Sequence, residues 1–391
     1  MAIFSDKTRK FFKGRRGQMK RIESACRGVD GIVWVHSASY GEFEEVRPVI
    51  EELRKKSPGI KVLVTFFSPS GYEYLKDDPI ADFVFYLPFD TPWNARRFLN
   101  AVRPVKVIVS ISDFWLFFLH ELRRRAVPAY LISACFNSGQ FYFKPLGFMY
   151  RDVFRRCFTR IIVRDEASLN LLNDIGAGNA VIVGDPRMDR VVEIAAQEWN
   201  DPVIDRWAAG AARVFVAGSV LPDEDEVVVT DLANSHPDDK FLIVPHEIGD
   251  REVESIVARL SGRCEVYSRL SDGYENAQVL IVNTVGMLAR VYRYGFAAYV
   301  GSGFDCSPHS VIEPAAYGIP VAYGPKFGSY CHCRGLIDAG GGFSISNSEE
   351  LAAWYDSLVA DSARLASMGK AARDYCVAGS GVAEAVAGYI H

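Results

Sequence analysis

Four residues, Ser39-Tyr40-Gly41-Glu42, close an apolar run and open a helical pattern. Small residues followed by an acid in the first helical turn put a carboxylate at the carboxyl end of a strand. That is where open α/β sheets present their working groups. The helix dipole and the free N–H groups of the first turn hold such a carboxylate ionised. Glu42 is therefore either a working carboxylate or an acid that serves only the helix terminus. Glu44 and Glu45, further along, are expected in solvent. His36, just before the loop, reads as a structural hydrogen-bonding histidine.

Other strand ends carry similar small, polar and charged sets. In the first half these are Ser68-Pro69-Ser70-Gly71, Ser112-Asp113 and Gly184-Asp185-Pro186-Arg187. In the second half they are Ala217-Gly218-Ser219, Pro245-His246-Glu247, Asn283-Thr284-Val285-Gly286 and the stretch 301–313. The run GSGFDCSPHSVIEPAAYGIPVAYGP combines glycines, which permit close backbone approach, with a helix predicted to be capped by Ser310. Its N-terminal N–H groups suit a phosphate, and Glu313, one turn in, suits ribose hydroxyls. The bland alternative is a capped helix after a glycine-rich loop. No GxGxxG follows the first strand of either half and no GxxxxGK[ST] occurs, which disfavours dinucleotide and P-loop chemistry. The eight cysteines are scattered and read as reduced thiols. Cys331-His332-Cys333, with Cys306 and His309 upstream, lacks the paired C-x₂₋₄-C spacing of zinc sites, so no metal is expected.

The elements that must position these residues alternate in type. Continuous β-branched and aromatic runs at 32–37, 61–67, 83–88, 105–111, 129–135, 160–165 and 180–185 suit strands buried on both faces of a parallel sheet. Helical patterns at 42–55, 91–102 and 114–125 lie between them. The rhythm restarts with runs at 213–219, 240–247, 264–268, 277–283, 297–302 and 320–324. This predicts an α/β chain of two Rossmann-like, doubly wound domains facing each other across a cleft. The first is expected at 1–195, a linker at 196–212 and the second at 213–391, with the last helix either completing the second domain or crossing back.

With 391 residues, 49% apolar and 24% charged, the chain has ordinary globular composition. A formal charge of −4 argues against nucleic acid as partner. No run reaches the roughly 20 apolar residues of a membrane span, and the start lacks a signal-peptide core. Residues 7–27 carry nine Lys and Arg (among them Lys7) against Glu23 alone. That stretch is either a solvated helix face or a contact for anionic lipid head groups.

The segments HSASYGEFEEVRPVIEEL, YLPFDTP, SDFWLFFL, GDPRMDRV, AGSVLPDEDE, IVPHEI, NTVGML and HSVIEPAAYGIPVAYGP stand in an order that resembles the 3-deoxy-D-manno-octulosonic acid (Kdo) transferase family of lipopolysaccharide assembly. The likeness runs from about residue 10 to about 347. It implies a GT-B glycosyltransferase that moves Kdo from CMP-Kdo to a lipid A precursor, lipid IVA, with inversion and without metal or other cofactor.

By the same resemblance Glu42 is the catalytic base, Arg187 steadies charge on the departing phosphate, and Asp113 stands where the family usually has Glu. The donor is implied to meet Gly218, Ser219, Pro245, His246, Gly286, Met287, Leu288, His309, Ser310, Val311, Ile312 and Glu313. Ser310, Val311 and Ile312 depart from the family's N-P-L-E-like segment. Ser39, Gly41, Phe114, Trp115, Arg123 and Arg124 are assigned to the anionic lipid acceptor, an apolar patch edged by arginines, although a helix packed inside the domain would read the same. FYFKPLGFMYRDVFRR adds aromatic and basic residues to that patch. The expected location is the cytoplasmic face of the inner membrane, peripheral, with the family's N-terminal anchor absent or trimmed. Two alternatives remain: a GT-B enzyme using a UDP-sugar, including the UDP-GlcNAc 2-epimerase group, and a silent binding protein of the same fold.

Overall fold

The structure is a computed structural model that describes residues 6–111, 113–328 and 330–391, with side chains from residue 9 onward. Ser112 and the Lys7 side chain lie outside what is described. The chain divides into two units, Met1–Arg190 with Ser380–His391, and Val191–Gly379.

The first unit holds strands β1 (Ile32–Ser37), β2 (Lys61–Phe66), β3 (Phe83–Tyr86), β4 (Lys106–Ser110), β5 (Ala129–Ala134), β6 (Arg160–Val163) and β7 (Ala180–Ile182). They form one sheet in the order β3-β2-β1-β4-β5-β6-β7, and every pairing is parallel. All six residues of β1 are buried, as an unalternating Ile-Val-Trp-Val run in a two-sided sheet requires. Phe98, Leu99, Phe118 and Phe154 pack on one face. Phe43, Val46 and Ile50 of the helix Tyr40–Lys56 pack on the other, together with Val382, Val386 and Ile390 of the last helix.

The second unit holds β8 (Val214–Val220), β9 (Lys240–Pro245), β10 (Cys264–Val266), β11 (Val279–Ile281), β12 (Ala297–Val300), β13 (Val321–Tyr323) and β14 (Gly342–Ser344). Their order is β10-β11-β9-β8-β12-β13-β14. Each sheet therefore reverses its winding beside its first strand, at β1/β4 and at β8/β12. Such a switch point opens a crevice at the carboxyl ends of the strands.

Residues 196–212, expected as a linker, hold the end of the helix Arg187–Ala196 and all of the helix Pro202–Ala208, and they belong to the second unit. Asp201 caps the latter helix by accepting from the N–H groups of Val203 and Ile204, both at 3.0 Å. Among the described residues no helix is long and apolar enough to cross a membrane.

Candidate active site

The β1/β4 switch point carries the carboxylates. Ser39 is the N-cap of the helix Tyr40–Lys56, and its hydroxyl accepts from the Glu42 N–H at 3.4 Å. Glu42 folds back so that Oε2 accepts from the Ala38 N–H at 2.7 Å. This reciprocal arrangement, close to a capping box, fixes the carboxyl group over the end of β1. Its pKa is pushed up to about 7, chiefly by burial; the charges of Asp113 and Glu45 add to the shift, and the Ala38 N–H and Arg164 oppose it. The dipole and N–H groups therefore do not keep Glu42 in the ordinary carboxylate range. Desolvation wins, and the result is a stronger base near neutral pH.

Asp113 follows β4 and is partly exposed. Its Oδ2 lies 3.1 Å from His36 Nε2, and the same nitrogen accepts from the Trp115 indole N–H at 2.8 Å. That places the imidazole proton on Nδ1, which donates to the Thr65 carbonyl at 3.0 Å. With Nε2 occupied by the Trp115 N–H, its approach to Asp113 is a contact and not a donated hydrogen bond. The buried ring of His36 thus orients Trp115.

Beneath Glu42 lies a cluster that sequence reading missed. Glu45, expected in solvent, is buried and paired with Arg164 at the end of β6. Arg164 Nε lies 3.3 Å from Asp185 Oδ2. Arg187 lies 2.7 Å from Asp185 through Nη2 and 3.4 Å from Glu45 through Nε. Two carboxylates and two guanidiniums thus neutralise one another, which a buried group of charges requires. One signal was available: Glu45 stands three residues after Glu42, on the same helical face. Glu44 is also held, by Arg47 at 2.8 Å.

The residues assigned to a lipid acceptor separate. Phe114 is 7% exposed and packs against Phe136, Tyr142, Phe154 and Phe158. It is core and cannot offer its ring to an acyl chain, which corrects the expectation. Phe118 and Leu119 are buried as well, and Phe117 is exposed. Trp115 is partly exposed beside Phe67. Arg123 and Arg124 are exposed at the end of the helix Leu116–Arg124. Arg124 forks onto Glu121 at 2.6 and 2.8 Å, and Arg123 lies 3.8 Å from Asp152. Gly41 is exposed, and a Cβ there would meet nothing within 4 Å.

In the second unit the carboxyl ends of β8, β9, β11 and β12 carry the remaining candidates. Ser219 stands at a register shift between β8 and β9 and has φ +55°. Pro245 ends β9, and the exposed ring of His246 stacks on His309 with centroids 4.5 Å apart. Burial first, and then the neighbouring His246, push His309 down to about 4, so this ring is neutral at pH 7. Gly286 has φ +86° with open space around it and leads through Met287 into the short helix Leu288–Val291.

Three donor expectations are corrected. Gly218 is buried, and a Cβ there would lie 2.0 Å from the Tyr292 hydroxyl and 2.7 Å from Leu288 Cδ1. This glycine admits protein rather than ligand. Ser310 is not a cap: the helix begins at Ile312, runs five residues and has Val311 at its N-cap without a side-chain bond. So short a helix has little dipole to offer a phosphate. Val311 and Ile312 are fully buried, so their side chains face the interior, while Glu313 stays partly exposed. In the Cys331–Cys333 stretch, His332 is buried with Nδ1 2.9 Å from the Tyr375 hydroxyl.

Residues 10–190 match the family model described as 3-deoxy-D-manno-octulosonic-acid transferase. The 3-deoxy-D-manno-octulosonic acid transferase of Aquifex aeolicus is 26% identical over 335 residues, covering 84% of this chain and 86% of that one. That of Bordetella pertussis is 26% identical over 371 residues, covering 89% and 84%. Among solved structures, UDP-GlcNAc 2-epimerase from Neisseria meningitidis bound to UDP-GlcNAc has a TM-score of 0.65 at 14% identity and covers 92% of this chain and 99% of its own. A putative UDP-N-acetylglucosamine 2-epimerase from Listeria monocytogenes has a TM-score of 0.66 at 14% identity, covering 91% and 94%. The structural likeness is one of fold: the two doubly wound domains of the GT-B type.

Proposed function

We propose that the chain is a member of the 3-deoxy-D-manno-octulosonic acid transferase family, whose model its residues 10–190 match, and that it moves Kdo from CMP-Kdo to a hydroxyl of a lipid A precursor. The transfer inverts the anomeric carbon and uses no metal. The observation that carries this reading is Glu42, a carboxyl group anchored at Oε2 by a backbone N–H and pushed up to about 7.

The acceptor hydroxyl gives its proton to Glu42 as its oxygen bonds to the anomeric carbon. The bond from that carbon to the CMP phosphate oxygen breaks, and the electron pair leaves with the phosphate. A base matched to the working pH takes the proton best. Arg187 supplies positive charge toward the phosphate, as a guanidinium suits, while Asp185 and Glu45 hold its fork. Asp113 and Trp115, the latter held by His36, line the acceptor side with Ser39 and Gly41, whereas Arg123 and Arg124 stand at the far end of the helix Leu116–Arg124.

On the donor side Ser219, His246, His309, Gly286 and Glu313 meet the nucleotide sugar, with Pro245, Met287 and Ser310 beside them. Gly218, Leu288, Val311 and Ile312 shape the floor. The enzyme works at the cytoplasmic face of the inner membrane as a peripheral protein. The basic helices Asp6–Arg15 and Gln18–Ala25, with exposed Phe12, support contact with anionic lipid.

The test is transfer from CMP-Kdo, generated in situ, to a tetra-acylated lipid A precursor in detergent. Wild type is run beside Glu42→Ala and Glu42→Gln. Product from wild type, and a loss of about 10³-fold in both variants with CMP binding intact, is the expected result. Equal product from all three removes Glu42 from the base role. A folded wild type that binds UDP rather than CMP and makes no product overturns the assignment of the donor.

A further inference from the structure

The loops at β8/β12 hold conformations that side chains resist. Ser219 and Ser302 have φ +55° and +80°, values that glycine adopts freely and serine does not. Something must impose them. Between the two loops lies Asp225, 2% exposed, in the first turn of the helix Glu224–Ser235. Its Oδ2 accepts from the Ser302 N–H at 2.6 Å and from the Leu221 N–H at 3.1 Å. Its Oδ1 accepts from the Tyr299 hydroxyl at 2.6 Å. One carboxylate therefore joins the residue after β8 to the loop after β12.

The stacked histidines are tied to these loops, His309 on the loop after β12 and His246 just past β9. The His246 N–H donates to Val220 O at 2.9 Å and the His309 N–H to Gly301 O at 3.1 Å. Val220 adjoins Leu221, and Gly301 adjoins Ser302. Each histidine backbone is thus hung on the residue next to one that Asp225 holds. Gly301 is part of the same joint, since a Cβ there would lie 2.5 Å from Asp225 Oδ2 and 2.3 Å from Ser219 O.

We propose that Asp225 is a positioning residue for the nucleotide: it ties the β8 and β12 loops together and so sets the spacing of His246 and His309. The inference rests on the reading of these loops as the CMP-Kdo site. Asp225 touches neither donor nor acceptor; it acts through the backbone of the two loops.

The test compares Asp225→Asn and Gly301→Ala with Asp239→Asn. Asp239 is also a buried acid that accepts from a tyrosine hydroxyl, Tyr355 at 2.8 Å, and pairs with Arg213, but it precedes β9 at the other end of the sheet. Asp225→Asn removes the charge and turns one acceptor oxygen into an NH2 donor, so either the Tyr299 bond must reverse or both N–H bonds are lost, and Gly301→Ala pushes the joint apart. Both are expected to raise KM for CMP-Kdo and Kd for CMP about 10- to 100-fold, as misplacement near 1 Å does. KM for the lipid acceptor stays within twofold. Asp239→Asn lowers the melting temperature without moving KM for CMP-Kdo. If Asp225→Asn does not fold, the donor KM and CMP affinity of Gly301→Ala decide the matter. Wild-type affinity for CMP in either folded variant overturns the proposal, and so does a donor KM in Asp239→Asn raised as far as theirs. A wild type that does not bind CMP overturns the reading beneath it, a result separable from the first because it needs no variant.

Discussion

The two switch points have the same topology and opposite chemistry. At β1/β4 the ends of the strands carry charge: Glu42, Asp113, and below them Glu45, Arg164, Asp185 and Arg187. At β8/β12 and the loops beside it the candidate side chains are mostly uncharged, with Glu313 the acid among them. The region carries stacked imidazoles, a glycine at φ +86° and serines in left-handed backbone. The first region is built to move a proton and steady a charge, the second to hold a ligand by shape and backbone groups. Winding decides where a crevice opens; the residues just past the strands decide what it does.

If charge sustains the first region, removing one buried cation should do the most damage. Arg164→Leu leaves Glu45 and Asp185 without half their compensation and should cost about 3–5 kcal/mol in urea unfolding. A loss under about 1 kcal/mol would dissolve the contrast.

The pH response sharpens it further. Transfer should rise about tenfold per unit up to pH ~7 and level above, because only unprotonated Glu42 accepts the proton. Stability should move the other way. Glu42 keeps its proton in the folded chain up to about 7, while the unfolded carboxyl releases it near its ordinary value. Between these values the native state binds more protons, so stability falls as pH rises. Glu42→Gln removes that fall and should be more stable than wild type at pH 8 by about 1–3 kcal/mol. A flat difference from pH 4 to 8 would contradict the burial of this group.

If backbone proximity sustains the second region, a methyl group should be felt there and not in the first. Gly218→Ala drives a Cβ into Tyr292 and Leu288 and should cost about 1–3 kcal/mol by thermal unfolding. Gly41→Ala meets open space in a helical turn and should gain up to about 1 kcal/mol. Any rise in acceptor KM in that variant then reports the ligand and not the fold.

The strands were legible where they were continuous and β-branched, as in Ile32–Ser37 and Lys240–Pro245. Gly342–Ser344 was not, being three residues after Gly340 and Gly341; only pairing with β13 makes it a strand. The Glu42 loop could be read because its capping contacts are local in sequence. Its raised proton affinity could not, since it comes from burial and from Asp113. Glu45 failed for the same reason: Arg164 stands 119 residues away. Phe114 failed differently. An aromatic beside arginines reads alike as a surface patch or as core, and only Phe136 and Phe154, brought in by the fold, decide. Gly218 was assigned to the donor by resemblance, and the space beside it is filled by Tyr292.

The helix Val382–Ile390 lies in the core of the first unit, so the second unit is, in sequence, an insertion between residues 190 and 380. A stop codon directly after residue 379 would strip Val386 and Ile390 from the first unit and spare the second. Expressing 1–190 alone should give an aggregation-prone fragment, whereas the same segment fused through a short linker to 380–391 should be recovered folded. Lesions in residues 380–391 would thus present as defects of the first unit.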